Sequence, residues 1–418
     1  MIRSLHLEGF KNFRDATLSI GPLTVIVGTN ASGKSNLRDA FRFLHGMSRN
    51  YSLADIVGEK FVEGVLQWRG IRGGAREIAS FGQSSFTLTT SLVLETDPPT
   101  TPVNYRHLIA VEAGNGTRPL RLLREMLYAD DRVVYESCAQ DGPIVGNAAE
   151  QIRVLLHETV GVVPAVYLSS RPLLSQLAAH FEARWGILPP PSHVVSQFGS
   201  MRFLDLSPEA MRNPSMPGQP LGDRGENLSS ALQAICEDLY RKQAITEWIQ
   251  QLTPLDVVDF EFVPDQTGKI LLSLVESNGQ KTSAYSASDG TLRFLAMIAA
   301  FMGPDAAQFY FLEEIDNGIH PTRLNLLLQL IEQQAKSKKL QVVTTTHSPQ
   351  LLAMLSPKAR ENAYLAYRLE NETEAHLQRI LDIPTARDVL GRQNLARLHE
   401  SGWLENMVAF ARPEESDT

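Results

Sequence analysis

The residues Gly28-Thr29-Asn30-Ala31-Ser32-Gly33-Lys34-Ser35 satisfy G-x-x-x-x-G-K-[ST] at every fixed position. An apolar stretch, Leu23 to Val27, precedes them, and an apolar-periodic pattern, Asn36 to Leu44, follows, so the order is strand, glycine loop, helix. In that context the glycines let backbone N–H groups curl around β- and γ-phosphate oxygens, and the helix adds its positive N-terminal end. Lys34 would neutralise phosphate charge and the Ser35 hydroxyl would ligate Mg²⁺. Asn30, Gly33, Lys34, Ser35 and Asn36 are therefore candidate phosphate-binding residues.

Three further segments carry chemistry. Phe309 to Leu312 is a short apolar strand that delivers Glu313 and Glu314 at its end. Successive side chains on a strand point to opposite faces, so Glu313 can enter a Mg²⁺ shell while Glu314 polarises an attacking water as general base. Leu340 to Thr346 is a β-branched strand ended by His347, Ser348 and Pro349, and His347 is placed to contact a terminal phosphate if that strand lies beside the phosphate-loop strand. His45, His107, His157, His180 and His193 have no such context and read as ordinary hydrogen-bonding residues. Ser288-Asp289-Gly290 opens the apolar helix Leu292 to Phe301, a second helix N-terminus suited to an anion. One nucleotide needs only one phosphate loop, so this segment either completes the pocket of another subunit or is a plain cap by Ser288 or Asp289.

These residues need a scaffold of parallel strands. The chain has 418 residues, 43% hydrophobic and 21% charged, with a mean hydropathy of -0.14. Such values exclude a mostly disordered, collagen-like or membrane-embedded chain. Thirty-nine Lys and Arg against 47 Asp and Glu give a net charge of -8, so any contact with DNA must be a local patch. The segment between Phe61 and Glu77, dense in glycine and arginine, reads as an exposed loop, and its Arg69, Arg72 and Arg76 form the best such patch. Cys138 and Cys236, far apart and without metal-ligand neighbours, argue against a disulfide framework or a zinc knuckle, and the N-terminus lacks a secretory apolar core, so the expected location is cytoplasmic.

Alternation predicts antiparallel strands over Phe86–Glu95, Tyr105–Glu112, Leu120–Tyr128 and Arg132–Glu136. Helical stretches broken by proline follow from Val162 to Gln251. Strands resume from Val257, and helix then alternates with strand from Leu292 to Thr346, as a parallel sheet requires. The expected domains are 1–160, an N-terminal lobe with the phosphate loop; 161–255, an inserted helical subdomain; 256–380, a C-terminal lobe; and 381–418, a helical tail.

The four motifs in this order resemble the head domains of ABC-type ATPases in the branch containing SMC proteins, RecF and the OLD-family ATPases. LEGFKNF followed by TVIVGTNASGKSNLRDAFRFL resembles the SMC and RecF amino-terminus, SASDGTLRFL the signature motif, FYFLEEIDNGIHP the Walker B and D-loop of the OLD-like branch, and TTTHSPQLL the switch-histidine segment. The resemblance implies an α/β P-loop fold with a mixed sheet, an antiparallel β subdomain and an inserted helical subdomain. It implies that Glu313 takes the metal role, Glu314 the base role and His347 the switch role, and that His320 stands at the D-loop aspartate position. It further implies ATP and Mg²⁺ sandwiched in a head-to-tail homodimer, between Walker A of one chain and Ser288, Asp289 and Gly290 of the other. Asp289 stands where transporters carry glycine. Gln67 and Gln83 are both open as the Q-loop glutamine. The short stretch after His347 holds no Asp-x-Asp pair of the kind a TOPRIM nuclease needs, so the chain is expected not to cut DNA itself. The leading expectation is an ATPase that regulates a separately encoded effector, a nuclease in anti-phage defence or DNA maintenance. The alternative is a RecF-like DNA-binding repair ATPase; an ATPase subunit of a membrane transporter fits the Glu-Glu pair poorly.

Overall fold

A computed structural model describes residues 1–95, 102–114, 119–138, 150–158, 161–181, 190–252, 256–304, 306–338, 340–369 and 372–383. The tail expected to be helical lies outside the described residues from 384 onward, as does the side chain of His180. Along the chain come β1 (Ile2–Phe10), β2 (Phe13–Ser19), β3 (Leu23–Val27), α1 (Lys34–Ser48), α2 (Leu53–Val57), β4 (Lys60–Val62) and β5 (Val65–Trp68). Six long strands follow: β6 (Ser85–Leu94), β7 (Val103–Glu112), β8 (Arg121–Ala129), β9 (Arg132–Cys138), β10 (Gln151–Glu158) and β11 (Gly161–Leu168). Next are α3 (Leu173–Phe181), α4 (Ser192–Gly199), β12 (Met201–Leu204), α5 (Pro208–Met211), α6 (Leu228–Cys236), α7 (Leu239–Leu252), β13 (Val257–Pro264), β14 (Ile270–Glu276) and β15 (Lys281–Ser283). The last are α8 (Asp289–Met302), β16 (Phe309–Leu312), α9 (Pro321–Lys338), β17 (Gln341–Thr346), α10 (Pro349–Met354), α11 (Pro357–Arg360), β18 (Ala363–Tyr367) and β19 (His376–Arg379).

Two compact units emerge. The first comprises Met1–Gly21, Gly28–Met201 and Tyr364–Gln378; the second comprises Pro22–Val27, Arg202–Ala363 and the chain from Arg379. These units interleave in sequence, unlike the consecutive segments 1–160, 161–255 and 256–380. The stretch read as helical, 161–255, also contributes β11 and β12.

In the first unit an antiparallel sheet runs in the order β11-β10-β9-β8-β7-β6-β1-β2. Its strands show the alternation that one buried face demands: β6, SFTLTTSLVL, has every second residue buried. The phosphate-loop helix α1 is fixed to this sheet by aromatics. Phe43 of α1 meets Phe86 of β6 edge to face at 5.4 Å between ring centroids, and Phe10 of β1 meets the same ring at 5.3 Å. The Arg-Gly segment, expected to be a loop throughout, opens with a hairpin of β4 and β5. Its turn residues, Glu63 at φ 51° and Gly64 at φ 78°, are both left-handed, the geometry that matches strand twist in a two-residue turn.

In the second unit β12, β16, β17 and β3 lie side by side in that order. Pairing of β16 with β17 and of β17 with β3 is parallel, with Leu312 opposite Thr344 and Thr346 opposite Val27. All residues of these three strands are buried, as expected of strands covered on both faces. β13, β14 and β15 make a separate antiparallel sheet, and α8, almost wholly buried, carries Leu292, Phe294, Leu295, Ile298 and Phe301 into the core. Among the described residues no helix is long and apolar enough to cross a membrane.

Candidate active site

The phosphate loop leaves the end of β3 and bends through unusual backbone. Ala31 has φ 62° and Gly33 φ 98°. A side chain at Gly33 would bring a Cβ within 2.8 Å of Phe13 Cζ and 2.9 Å of Ala375 Cβ, so only glycine fits the left-handed turn that starts α1. Gly28 is equally enclosed: a Cβ there would lie 2.1 Å from the Ala366 carbonyl oxygen. Lys34 is 7% exposed, and its ammonium donates to the carbonyls of Gly28 at 2.7 Å and Thr29 at 2.6 Å, closing the loop across its own mouth. The Ser32 Oγ is buried with no hydrogen-bond partner. A buried ammonium and an orphaned hydroxyl inside a loop with no room for a Cβ at Gly28 or Gly33 suit a phosphate group. Ser35 and Asn36 are half-buried, Asn30 is exposed, and Asn36 Nδ2 donates to Asn12 Oδ1 at 2.6 Å.

A cleft of about 680 Å³ in the first unit is lined by Asn12 and Asn36 together with Lys11, Arg76, Gln83 and Glu374. Gln83 thus lines this cleft with Asn36 of α1 and Asn12 of the β1–β2 turn, whereas Gln67 lies exposed on β5. Arg72 of the expected basic patch is drawn into a different role. Its Nε is 3.3 Å from Asp39 Oδ2, which also receives Lys11 Nζ at 2.6 Å, and its carbonyl accepts from Lys11 Nζ at 2.8 Å. Arg72 therefore helps pin the β1–β2 turn to α1, a coupling between Lys11, Asp39 and Arg72 that spacing in the sequence did not reveal.

In the second unit the parallel register brings Val27, Leu312 and Thr346 to one edge of the sheet, where the chain runs on into the glycine loop, Glu313 and His347 respectively. Binding groups gather at such carboxyl ends because the loops there are free of sheet pairing. Both carboxylates stand just beyond β16 rather than on it. Glu314 turns left-handed, at φ 51°, held by its N–H donating to Thr345 Oγ1 at 3.1 Å and by Asn317 N–H donating to its carbonyl at 2.9 Å. His347 Nε2 lies 3.4 Å from Glu314 Oε1, so the structure joins the two residues assigned to catalysis. Asp316, two residues further, was not singled out. Burial holds its carboxyl above the usual carboxylate range; the Thr346 hydroxyl and His347 pull the other way, and Glu314 adds to the rise. His320 is exposed, and its Nδ1 accepts from the Thr322 N–H at 3.4 Å.

Ser288 is the N-cap of α8: its Oγ accepts from the Thr291 N–H at 3.2 Å and lies 2.8 Å from Thr291 Oγ1. Arg212 donates to Asp289 Oδ1 at 2.7 Å and to the Ala287 carbonyl at 3.0 Å, setting a positive charge beside the acidic residue at this terminus. Gly290 packs on the turn that follows Glu314, where a Cβ would come within 2.6 Å of the Gly318 carbonyl oxygen, and Arg293 Nη1 donates to the Asn317 carbonyl at 3.2 Å. The start of α8 and the carboxylate turn are thus one packed assembly. His45, His107, His157 and His193 each hydrogen-bond a neighbour. Among the described residues no group of three or more His, Cys, Asp or Glu is placed to hold a metal ion. Magnesium does not need one, since it takes one or two protein oxygens and completes its shell with water and phosphate; the Ser35 hydroxyl and Glu313 carboxylate are donors of that hard type.

Residues 1–84 match the family model "AAA ATPase domain", and residues 219–353 match "AAA domain, putative AbiEii toxin, Type IV TA system". A protein of Helicobacter pylori named "ATP/GTP phosphatase" is 22% identical over 381 residues, covering 87% of this chain and 90% of its own. The RecF protein of a Synechococcus is 48% identical over 44 residues, 10% of this chain and 12% of its own. A solved Smc head bound to the C-terminal winged-helix domain of ScpA covers 90% of this chain and 97% of its own, at 13% identity and a TM-score of 0.50. The chain is a P-loop ATPase of ABC type. Within that class the two family-model matches and the relatives support an ATPase similar to the SMC/RecF/OLD-like branch.

Proposed function

We propose that this protein binds and hydrolyses ATP in sites shared by two copies of the chain, and that its nucleotide state controls a separately encoded effector, a nuclease in bacterial anti-phage defence or DNA maintenance. The observation that carries the hydrolytic part is the His347–Glu314 contact at the edge of the parallel sheet from which the glycine loop departs. In this reading Lys34, Ser32 and the backbone of the loop bind the β- and γ-phosphates, and Asn30 and Asn36 flank them. The base and ribose take the cleft beside Asn12 and Asn36. Ser35 and Glu313 hold Mg²⁺, which when bound neutralises phosphate charge. Glu314 accepts a proton from water as its oxygen bonds to the γ-phosphorus. The bond from that phosphorus to the β-phosphate bridging oxygen breaks, and ADP and phosphate leave. His347 donates to a γ-phosphate oxygen.

Ser288, Asp289 and Gly290 would cap the triphosphate of the second copy. As the Smc head is seen with a ScpA domain, a head of this fold can take a protein partner, and here the partner carries the nuclease activity. The relative's name adds GTP as a substrate to be compared with ATP. The test is phosphate release and nucleotide binding by wild type, Lys34→Ala and Glu314→Gln. Lys34→Ala is expected to lose binding, and Glu314→Gln to bind ATP while turnover falls by about 10²–10⁴-fold. Undiminished affinity in the first, or undiminished turnover in the second, overturns the assignment. Cleavage of DNA by the isolated chain would contradict the division of labour. A RecF-like DNA clamp, resting on Arg69 and Arg76, predicts instead that DNA alone stimulates turnover.

A further inference from the structure

Glu314 has His347 beside it as the structure stands. With His347 Nε2 at 3.4 Å from its Oε1, the carboxylate assigned to deprotonate water is engaged by the very imidazole that must reach the terminal phosphate. Hydrolysis requires the two to part. When they do, the exposed imidazole needs a second contact to hold it at the phosphate rather than leave it to solvent.

One acceptor stands ready. Asp316 lies on the same turn, which is closed by Asn317 N–H to the Glu314 carbonyl at 2.9 Å and Ile319 N–H to the Asp316 carbonyl at 3.1 Å. Its Oδ1 is buried and has no hydrogen-bond partner. The Thr346 hydroxyl, on the residue preceding His347, is within its reach, and both His347 and Glu314 are close enough to act on its charge. A buried carboxylate oxygen without a donor lowers stability, so its place beside a histidine that has to change partners calls for a use.

We propose that Asp316 is a positioning residue for hydrolysis: its free Oδ1 accepts an N–H of His347 when nucleotide draws that imidazole off Glu314, releasing Glu314 to face water. The inference rests on the reading of Glu314 as base. Asp316 itself touches neither water nor phosphate; it acts through His347.

The experiment compares Asp316→Asn, His347→Ala and the double variant in the full-length protein, with Glu314→Gln alongside, measuring kcat, KM for ATP, nucleotide affinity and the urea-unfolding midpoint. Asp316→Asn is expected to lower kcat by about 10–100-fold with KM and affinity within about threefold of wild type, the range typical of residues that orient a reacting group. Its unfolding midpoint is expected to stay level or rise, because a largely buried carboxylate whose Oδ1 has no donor becomes a neutral amide, whereas a merely structural carboxylate would lower it. In the His347→Ala background the substitution should have no further effect on kcat. Unchanged kcat in Asp316→Asn, a lower midpoint or failure to fold, or an undiminished loss in the His347→Ala background each overturns the proposal. If Glu314→Gln retains full turnover, the base assignment itself fails; if Glu314→Gln is inactive while Asp316→Asn is not, only the role of Asp316 fails.

Discussion

Gly290→Ala sets two physical effects against each other. Gly290 is the second residue of α8, and alanine is favoured over glycine in helices by about 0.8–1 kcal/mol, so propensity alone predicts a more stable protein. Its backbone is not left-handed, and no strain opposes the change. The added Cβ, however, would lie 2.6 Å from the Gly318 carbonyl oxygen, about 0.8 Å short of the 3.4 Å at which ordinary contact begins. The obstacle is main chain, which cannot swing aside as a long side chain does. Forcing one extra carbon into such a contact costs about 1–3 kcal/mol, so the clash cancels or outweighs the propensity and the expected net loss is about 0–2 kcal/mol. The displaced turn holds Glu314 and Asp316, and a misplacement near 1 Å can cost about 10²-fold in rate. Turnover should therefore fall at least tenfold while binding of ATP to the loop at Gly28–Ser35 of the single chain is retained. Urea unfolding and phosphate release on the same preparation measure both. A variant as stable as wild type with full turnover would refute the packing of α8 against the carboxylate turn.

Other consequences are more local. Glu125, fully buried in the first unit, accepts from His107 Nε2 at 2.9 Å, Tyr135 Oη at 3.0 Å and the N–H groups of Leu173 at 2.6 Å and Leu174 at 2.9 Å, where α3 begins. Glu125→Gln would aim an amide N–H at donors and should cost about 2–4 kcal/mol in a denaturant titration; a loss under about 0.5 kcal/mol would contradict the network. Burial pushes the Cys236 thiol up to about 11, with Lys242 opposing and Asp259 adding. Because the thiolate is the reactive form, alkylation of Cys236 in a Cys138→Ser background should be slow at pH 8 and rise steadily to about pH 11. A plateau near pH 8.5 would show an unshifted thiol. Chelation of divalent cations should abolish turnover, with Mg²⁺ restoring it, and turnover unaffected by chelation would exclude the roles given to Ser35 and Glu313.

The local signals were legible where two levels agreed. The apolar run Leu23–Val27, the glycine loop and the periodicity after it coincide at β3, the loop and α1, and the strand ending in His347 does lie beside β3. Signals failed where periodicity was masked. β11, GVVPAVYL, is an edge strand with Pro164 inside it and no fully buried residue, so nothing in its pattern marks a core face. The hairpin at Lys60–Trp68 was hidden by its glycine-rich and arginine-rich surroundings, although Glu63-Gly64 is a turn signal. The two units interleave because Pro22–Val27 and Tyr364–Gln378 each belong to a unit remote in sequence, and such exchange follows from long-range pairing that no local pattern records. Asp316 was visible as a third carboxylate after Glu313 and Glu314, but its orphaned oxygen appears only once the turn is folded.

The account turns on nucleotide sites built from two copies of the chain, and mixing variants tests that directly. Lys34→Ala breaks the loop half of a site and Ser288→Ala the capping half, the latter at about 1 kcal/mol for the lost cap, too little to unfold the protein. Each variant alone should be inactive. In an equimolar mixture half of the dimers are mixed, and each mixed dimer keeps one intact site of two, so ATP turnover should recover to about a quarter of wild type. Turnover no greater than that of the two variants measured separately would contradict the shared site.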